Sequence, residues 1–254
     1  MIAGRALRGS RILVYPPGHP LLIGIYVFMA FIFALIASVL PSVALSGLAL
    51  SSLHLLALWM ASFLILTSPL LSFFNVVVKR IESPEVEELR VEVEFIYVYG
   101  LPIAVPRLRV SRRVTIIALN LGGAAVPVFV SLILSWIAYS NYGSRVIAPI
   151  VASITVTSII TYLASRVVPG VGIAVPALIP PLTASLTSMA IIGSGPVAAI
   201  SAYTGGVMGS LIGADVLRLA KDFHRLQAPI VSIGGVGVFD GVFLSGIIGF
   251  ILAL

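Results

Sequence analysis

Residues 196–215 read PVAAISAYTGGVMGSLIGAD. Nineteen residues pass without a charge before Asp215 closes the run. At about 1.5 Å per residue, a helix of this length covers roughly 30 Å, the hydrocarbon thickness of a bilayer. The run therefore predicts a membrane span that carries a carboxylate near one end. Gly205, Gly209 and Gly213 recur every fourth residue along it. Small residues at that spacing let helix backbones approach closely in lipid.

The same pattern extends along the chain. Hydrophobic residues make up 59% of it and charged residues 9%, against about 25% charged in soluble domains. Seven spans are expected, near 20–41, 47–74, 114–138, 147–165, 171–192, 196–216 and 230–254. Pro20, Pro149 and Pro196 fall at or near their starts, where a missing N–H costs little. The first run is too long for the apolar core of a cleavable signal peptide. The expected fold is an all-α polytopic membrane protein of about seven transmembrane helices with a small cytoplasmic β-hairpin. Its parts are a cytoplasmic N-terminus (1–19), a two-helix transmembrane hairpin (20–75), the β-hairpin segment (76–113) and a five-helix transmembrane domain (114–254).

The hairpin is read from period-two alternation in Arg90-Val-Glu-Val-Glu-Phe95, with a turn at Gly100-Leu-Pro102. Six of the nine acidic residues lie there: Glu82, Glu85, Glu87, Glu88, Glu92 and Glu94. They read as a solvated strand face paired with nearby arginines. The fifth span is irregular. Its Pro169, Pro176, Pro180 and Pro181 predict a kinked or broken helix.

Charge sets the expected orientation. A cytoplasmic N-terminus puts 14 of the 15 Lys and Arg on one face and leaves only Arg145 outside. The chain is then a multi-pass protein of the cell membrane with its C-terminus outside. The net charge of +6 follows this topology and does not point to nucleic acid. The chain has no cysteine, which excludes disulfides and thiol catalysis. Metal-ligand spacing of histidines is absent and no cofactor is expected. Asn and Gln are scarce, as in thermophilic chains.

Two acidic residues lie inside apolar spans, Asp215 and Asp240, 25 residues apart. They flank a short basic loop that contains Asp222. A carboxylate in lipid costs several kcal/mol and marks a partner, a cavity or a reaction. Gly237, Gly241, Ser245 and Gly249 stripe the seventh span as the glycines stripe the sixth. Close approach of these two helices would bring the carboxylates together, although the stripes need not face each other and Asp215 is offset from its own. Facing carboxylates share a proton. One then activates a water and the other protonates a scissile carbonyl, as an aspartyl protease requires. Gly237 and Gly241 leave room for a substrate backbone. Asn120, polar within the apolar third span, either lines this cavity or hydrogen-bonds between helices. His54, deep in the second span, reads as structural, and Trp59 and Trp136 as packing or interface anchors.

The stretch Gly234-Gly-Val-Gly-Val-Phe-Asp240-Gly-Val-Phe-Leu-Ser resembles the second catalytic motif of the GxGD intramembrane aspartyl proteases. These are the presenilins, the signal peptide peptidases and their archaeal relatives. The resemblance implies a catalytic pair of Asp215 and Asp240 acting on a membrane-embedded peptide. Here Gly237 lies three residues before Asp240, where that family has glycine directly before it. Pro176-Ala177-Leu178 spells that family's PAL triplet, but it precedes the two Asp spans instead of following them. In that resemblance the triplet belongs to the substrate-binding set, with Asn120, Gly237 and Gly241 beside it. Residues 114–254 also resemble prokaryotic multi-pass membrane proteins grouped as domain of unknown function sixteen-fourteen. The resemblance runs through Asn120-Leu-Gly-Gly, Pro169 to Pro181, Gly213-Ala-Asp215 and Gly234 to Gly241. It implies no activity.

The leading expectation is an intramembrane aspartyl protease, its substrate docking by strand addition to the hairpin at 90–110. The alternatives are a proton- or cation-coupled transporter or channel that uses the same carboxylates, and a non-catalytic membrane scaffold. The expected partners are the lipid bilayer and a transmembrane peptide.

Overall fold

The computed structural model describes residues 11–14, 24, 27–28, 31–32, 35, 38–39, 50–98, 101–168, 172–223, 228, 230–235 and 241–254, with the backbone alone for 82–114. Helices come first in the packing. They are α1 (Ser52–Leu71), α2 (Val126–Tyr142), α3 (Ile147–Ala164), α4 (Ile179–Ile192), α5 (Pro196–Ser210), the short α6 (Leu219–Asp222) and α7 (Gly241–Ala253). A π-helical turn, Leu121–Ala125, leads into α2, and a π-helical stretch, Leu211–Arg218, continues α5 into α6.

The axis of the bundle is α5, with 13 of its 15 residues buried. Its composition explains this, because glycine, alanine and serine let neighbours close on every side. Gly205 lies against Ser153, Gly209 against Thr157, and Gly213 against Ser158 and Thr161. Both numberings rise together, so α3 and α5 run parallel. The glycine stripe therefore faces α3. Contact between α5 and α7 uses other residues. Gly206 meets the backbone of Ser245, and Gly246 meets Tyr203 and Val207. Ser245 Oγ donates to Gly206 O at 2.9 Å.

Among the described residues, three helical stretches are long and apolar enough to cross a bilayer: Ser52–Leu71, Leu121–Ala164 and Pro196–Asp222. The apolar helices α4 and α7 are shorter. Outward positions are apolar too: Trp59 is 76% exposed and Leu163 69%. In water such a surface would be costly, and in lipid it is neutral, so this is a membrane protein.

Three expected spans start late. Residues 114–120 are strand, and the third helix begins only at Leu121. In the fifth, β4 (Arg166–Val168) and β5 (Gly172–Ala174) form an antiparallel pair before α4. In the seventh, Ile230–Ile233 is strand. His54 is not deep in its span: it sits in the first turn of α1, and its ring lies 5.0 Å from that of Trp136.

The strands β1 (Ile12–Val14), β2 (Phe74–Val98), β3 (Leu101–Asn120) and β6 (Ile230–Ile233) form one sheet in the order β1-β2-β3-β6. The hairpin β2–β3 is longer than its alternating core, and Leu101 and Pro102 belong to β3 and not to its turn. Its register sets Glu87 opposite Arg112 and Glu92 opposite Arg107. The glutamate side chains themselves lie outside the described set. The parallel partner β6 was not expected.

The sheet caps one end of the bundle. Ser68 Oγ near the end of α1 donates to Gly122 O at the start of the α2 stretch, at 2.7 Å. Arg11, Lys79, Arg80, Arg166, Arg218 and Lys221 lie at this end, and Arg145 lies at the turn between α2 and α3 at the other.

The close approach of α3 to α5 generates a test. Gly209→Val drives a methyl into Thr157 and is expected to destabilise by about 1–3 kcal/mol. Gly241→Ala, whose new methyl meets nothing within 4 Å, should stay within about 0.5 kcal/mol of the parent. Thermal unfolding in detergent reads both, and equal shifts would contradict this packing.

Candidate functional site

Two parallel strands end side by side. β3 and β6 pair from Ile116↔Ile230 to Leu119↔Ile233. β3 ends at Asn120 and the chain coils at Gly122-Gly123, and beyond β6 it turns at Gly234-Gly235. Gly234 has φ 80° and Gly235 φ 86°, a left-handed conformation that glycine adopts without strain. Side chains have no room here either. A Cβ on Gly123 would strike Gly234 O, and one on Gly234 would strike Ala124.

Asn120 sits at the centre of this junction with no exposed surface. Its Oδ1 accepts from Gly123 N at 2.7 Å and so caps the π-helical turn. Its Nδ2 donates to Ser72 O at 2.8 Å, Gly235 O at 3.1 Å and Asn75 Oδ1 at 3.2 Å. Asn75 Oδ1 also accepts from Ser232 Oγ at 2.6 Å. Asn75 is 1% exposed, and its Nδ2 is a buried donor without a hydrogen-bond partner among the described residues.

Asp215 reaches the junction from the opposite side. It lies in the π-helical stretch after α5, half-buried. Stretches of this kind occur often at functional positions. Its Oδ2 accepts from Gly234 N at 2.8 Å. The Gly234-Gly235 turn is thus held through its amide by Asp215 and through its carbonyl by Asn120.

The predicted site residues divide as follows. Asp215, Asn120 and the glycine turn come together. Asn120 ends a strand and caps a turn; it is not part of a helix interior. Asp240 and Gly237 lie outside the described residues. Gly241 is exposed and opens α7. Pro176, Ala177 and Leu178 are exposed just before α4, and none of the hydrogen bonds above involves them.

Sequence reading missed two residues. Asp222 is helical and only 8% exposed, with Oδ2 2.9 Å from Arg218 Nε. It belongs to a helix and not to the short basic loop expected there, and the signal was the spacing of four between Arg218 and Asp222. Asn75 is the other. Asparagine occurs only at 75, 120 and 141, and scarcity of so polar a residue in an apolar chain was a usable signal.

Among the described residues no cluster of histidines and carboxylates could hold a metal ion. Chemistry at this junction rests on a carboxylate, two amides, a hydroxyl and close backbone.

The chain matches the family described as Protein of unknown function (DUF1614) over residues 70–252. No curated protein and no solved structure matches it.

Replacing Asn120 tests the junction. Asn120→Ala leaves Gly123 N–H and Gly235 O without their side-chain partner in a buried setting, and should cost about 2–4 kcal/mol. Asn75→Ala, which loses one acceptor and a donor that had no partner, should cost less. Unfolding midpoints in detergent compare the two, and an Asn120 variant as stable as the parent would contradict the network.

Proposed function

The chain belongs to the DUF1614 family, and for it we propose an intramembrane aspartyl protease of the GxGD kind that hydrolyses membrane-embedded peptides. The supporting observation is the 2.8 Å bond from Gly234 N to Asp215. It ties the first carboxylate to the turn from which the chain runs, six residues on, to Asp240. In this reading Asp215 and Asp240 are the catalytic residues. One takes a proton from water as the oxygen attacks the scissile carbonyl carbon. The other gives its proton to the carbonyl oxygen. Collapse of the resulting diol breaks the C–N bond, and the proton moves to the departing amine.

The rest of the junction serves positioning. Asn120 fixes Gly235 and therefore the direction in which the chain leaves towards Asp240. A substrate in extended form has a strand edge to join: among the described residues β1 pairs with β2 only at Phe74–Val76. Seven spans, a cytoplasmic N-terminus and an external C-terminus in the cell membrane complete the reading. The sheet and both carboxylates then sit on the cytoplasmic side.

One observation favours a second reading. Thr157 and Thr161 on α3 and Ser201 on α5 have buried hydroxyls without a hydrogen-bond partner among the described residues. Such hydroxyls suit a path for a proton or a hydrated cation along the α3–α5 contact, with Asp215 at its end.

Reconstituted full-length chain should cleave a transmembrane peptide. Asp215→Asn and Asp240→Asn should each lower the rate about 100-fold or more while leaving the unfolding temperature near that of the parent. Cleavage that persists in either variant would overturn the protease reading. Proton or cation flux in proteoliposomes, lost in Asp215→Asn without any cleavage by the parent, would establish the second.

A further inference from the structure

At the sheet end of α3, Tyr162 is gripped by two cations. The guanidinium of Arg218 stands 5.6 Å from the ring centroid and the ammonium of Lys221 5.7 Å. Lys221 Nζ also donates to the Tyr162 hydroxyl at 3.0 Å. Arg218 is neutralised by Asp222 at 2.9 Å. Asp215 is turned to the Gly234 amide.

Two positive charges remain. Lys221 is exposed, and among the described residues it has no carboxylate partner. Arg166 is exposed four residues beyond Tyr162 and likewise has none. The neighbour of Arg166, Val167, packs against the cluster of Leu219, Ala228 and Val231, which sets β4 beside the helix that carries Lys221.

The surface beside these charges is apolar. Ile159 is 53% exposed, Leu163 69%, Val216 50% and Leu217 47%. Tyrosine with Lys and Arg at the ends of spans marks the headgroup level of a bilayer. Basic pockets between spans are where anionic headgroups bind.

We propose that Tyr162, Arg166 and Lys221 bind the phosphate of an anionic phospholipid whose acyl chains lie along Leu163, Val216 and Leu217. The chemistry is complete without further groups. An ammonium has three donors, and Lys221 spends one on Tyr162. The Tyr162 hydroxyl accepts that bond and keeps its own proton to donate to a phosphate oxygen. Arg166 supplies a second charge-assisted donor. The site stands on the membrane reading alone and is independent of any cleavage activity.

Native mass spectrometry of the delipidated full chain in neutral detergent tests this with phosphatidylglycerol, phosphatidylcholine and inorganic phosphate. Phosphatidylglycerol should bind at least about tenfold more tightly than phosphatidylcholine. Arg166→Gln and Lys221→Gln should each weaken it about fivefold, and Tyr162→Phe, which keeps the ring between its cations, should weaken it by less. Unfolding temperatures of the three variants should match the parent. Equal binding of the two lipids, or undiminished phosphatidylglycerol binding in Arg166→Gln and Lys221→Gln, would overturn the proposal. Displacement of the lipid by millimolar inorganic phosphate would overturn it in favour of a soluble anion.

Discussion

The amide of Gly234 donates to Asp215, and the carbonyl of Gly235 accepts from Asn120. Those two bonds join the end of α5, the end of β3 and the end of β6. Each satisfies a backbone group at a largely buried position, where water is scarce and an unpaired amide is expensive. Glycine is required twice over, by positive φ and by the closeness of Gly123 and Ala124. The turn therefore has one conformation, and the chain that leaves it towards Asp240 starts from a fixed point. In the proposed protease reading this matters, because proton transfer depends on placement to within a fraction of an ångström.

The bundle supplies the rigidity behind that junction. α5 is enclosed by α2, α3, α4 and α7, and its glycines, serines and alanines allow close approach while Ile200, Tyr203 and Val207 fill the core between them. Ser153 Oγ donates to Ala184 O at 3.1 Å, so α3 also holds α4. In lipid there is little hydrophobic drive between helices, and tight van der Waals contact with a few hydrogen bonds has to serve. The parallel run of α3 beside α5 also carries Tyr162 to the level of Lys221. One packing arrangement thus sets both the position of Asp215 and the basic corner next to it.

Much of this was legible in the sequence, and the failures have physical causes. Membrane character, the long polar hairpin and the break before α4 follow from charge density, alternation and proline. Ile230-Val-Ser-Ile233 was absorbed into a helix because a short apolar run has the same appearance in a buried strand and a buried helix. Residues 114–120 failed for the same reason. Asn120 reads against a helical background, but it ends β3, and its bonds join a helix cap, a strand and a glycine turn. The glycine stripe correctly announced a close helix contact but not which helix, since spacing carries no information about the partner. Asp222 reads as part of a basic loop, and one of its basic neighbours, Arg218, is its ion-pair partner one helical turn away.

The central claim is that Asp215 and Asp240 share one site. The chain has no cysteine, so two introduced thiols report their own separation without background. Cross-linking of the Asp215→Cys, Asp240→Cys pair by a bis-methanethiosulfonate with a single methylene spacer tests it most directly. The control is the Asp215→Cys, Ser144→Cys pair, because Ser144 lies in the turn at the opposite end of the bundle. The account predicts rapid intramolecular cross-linking of the first pair and none of the second. A first pair as unreactive as the control, with both thiols shown free by labelling, would contradict it.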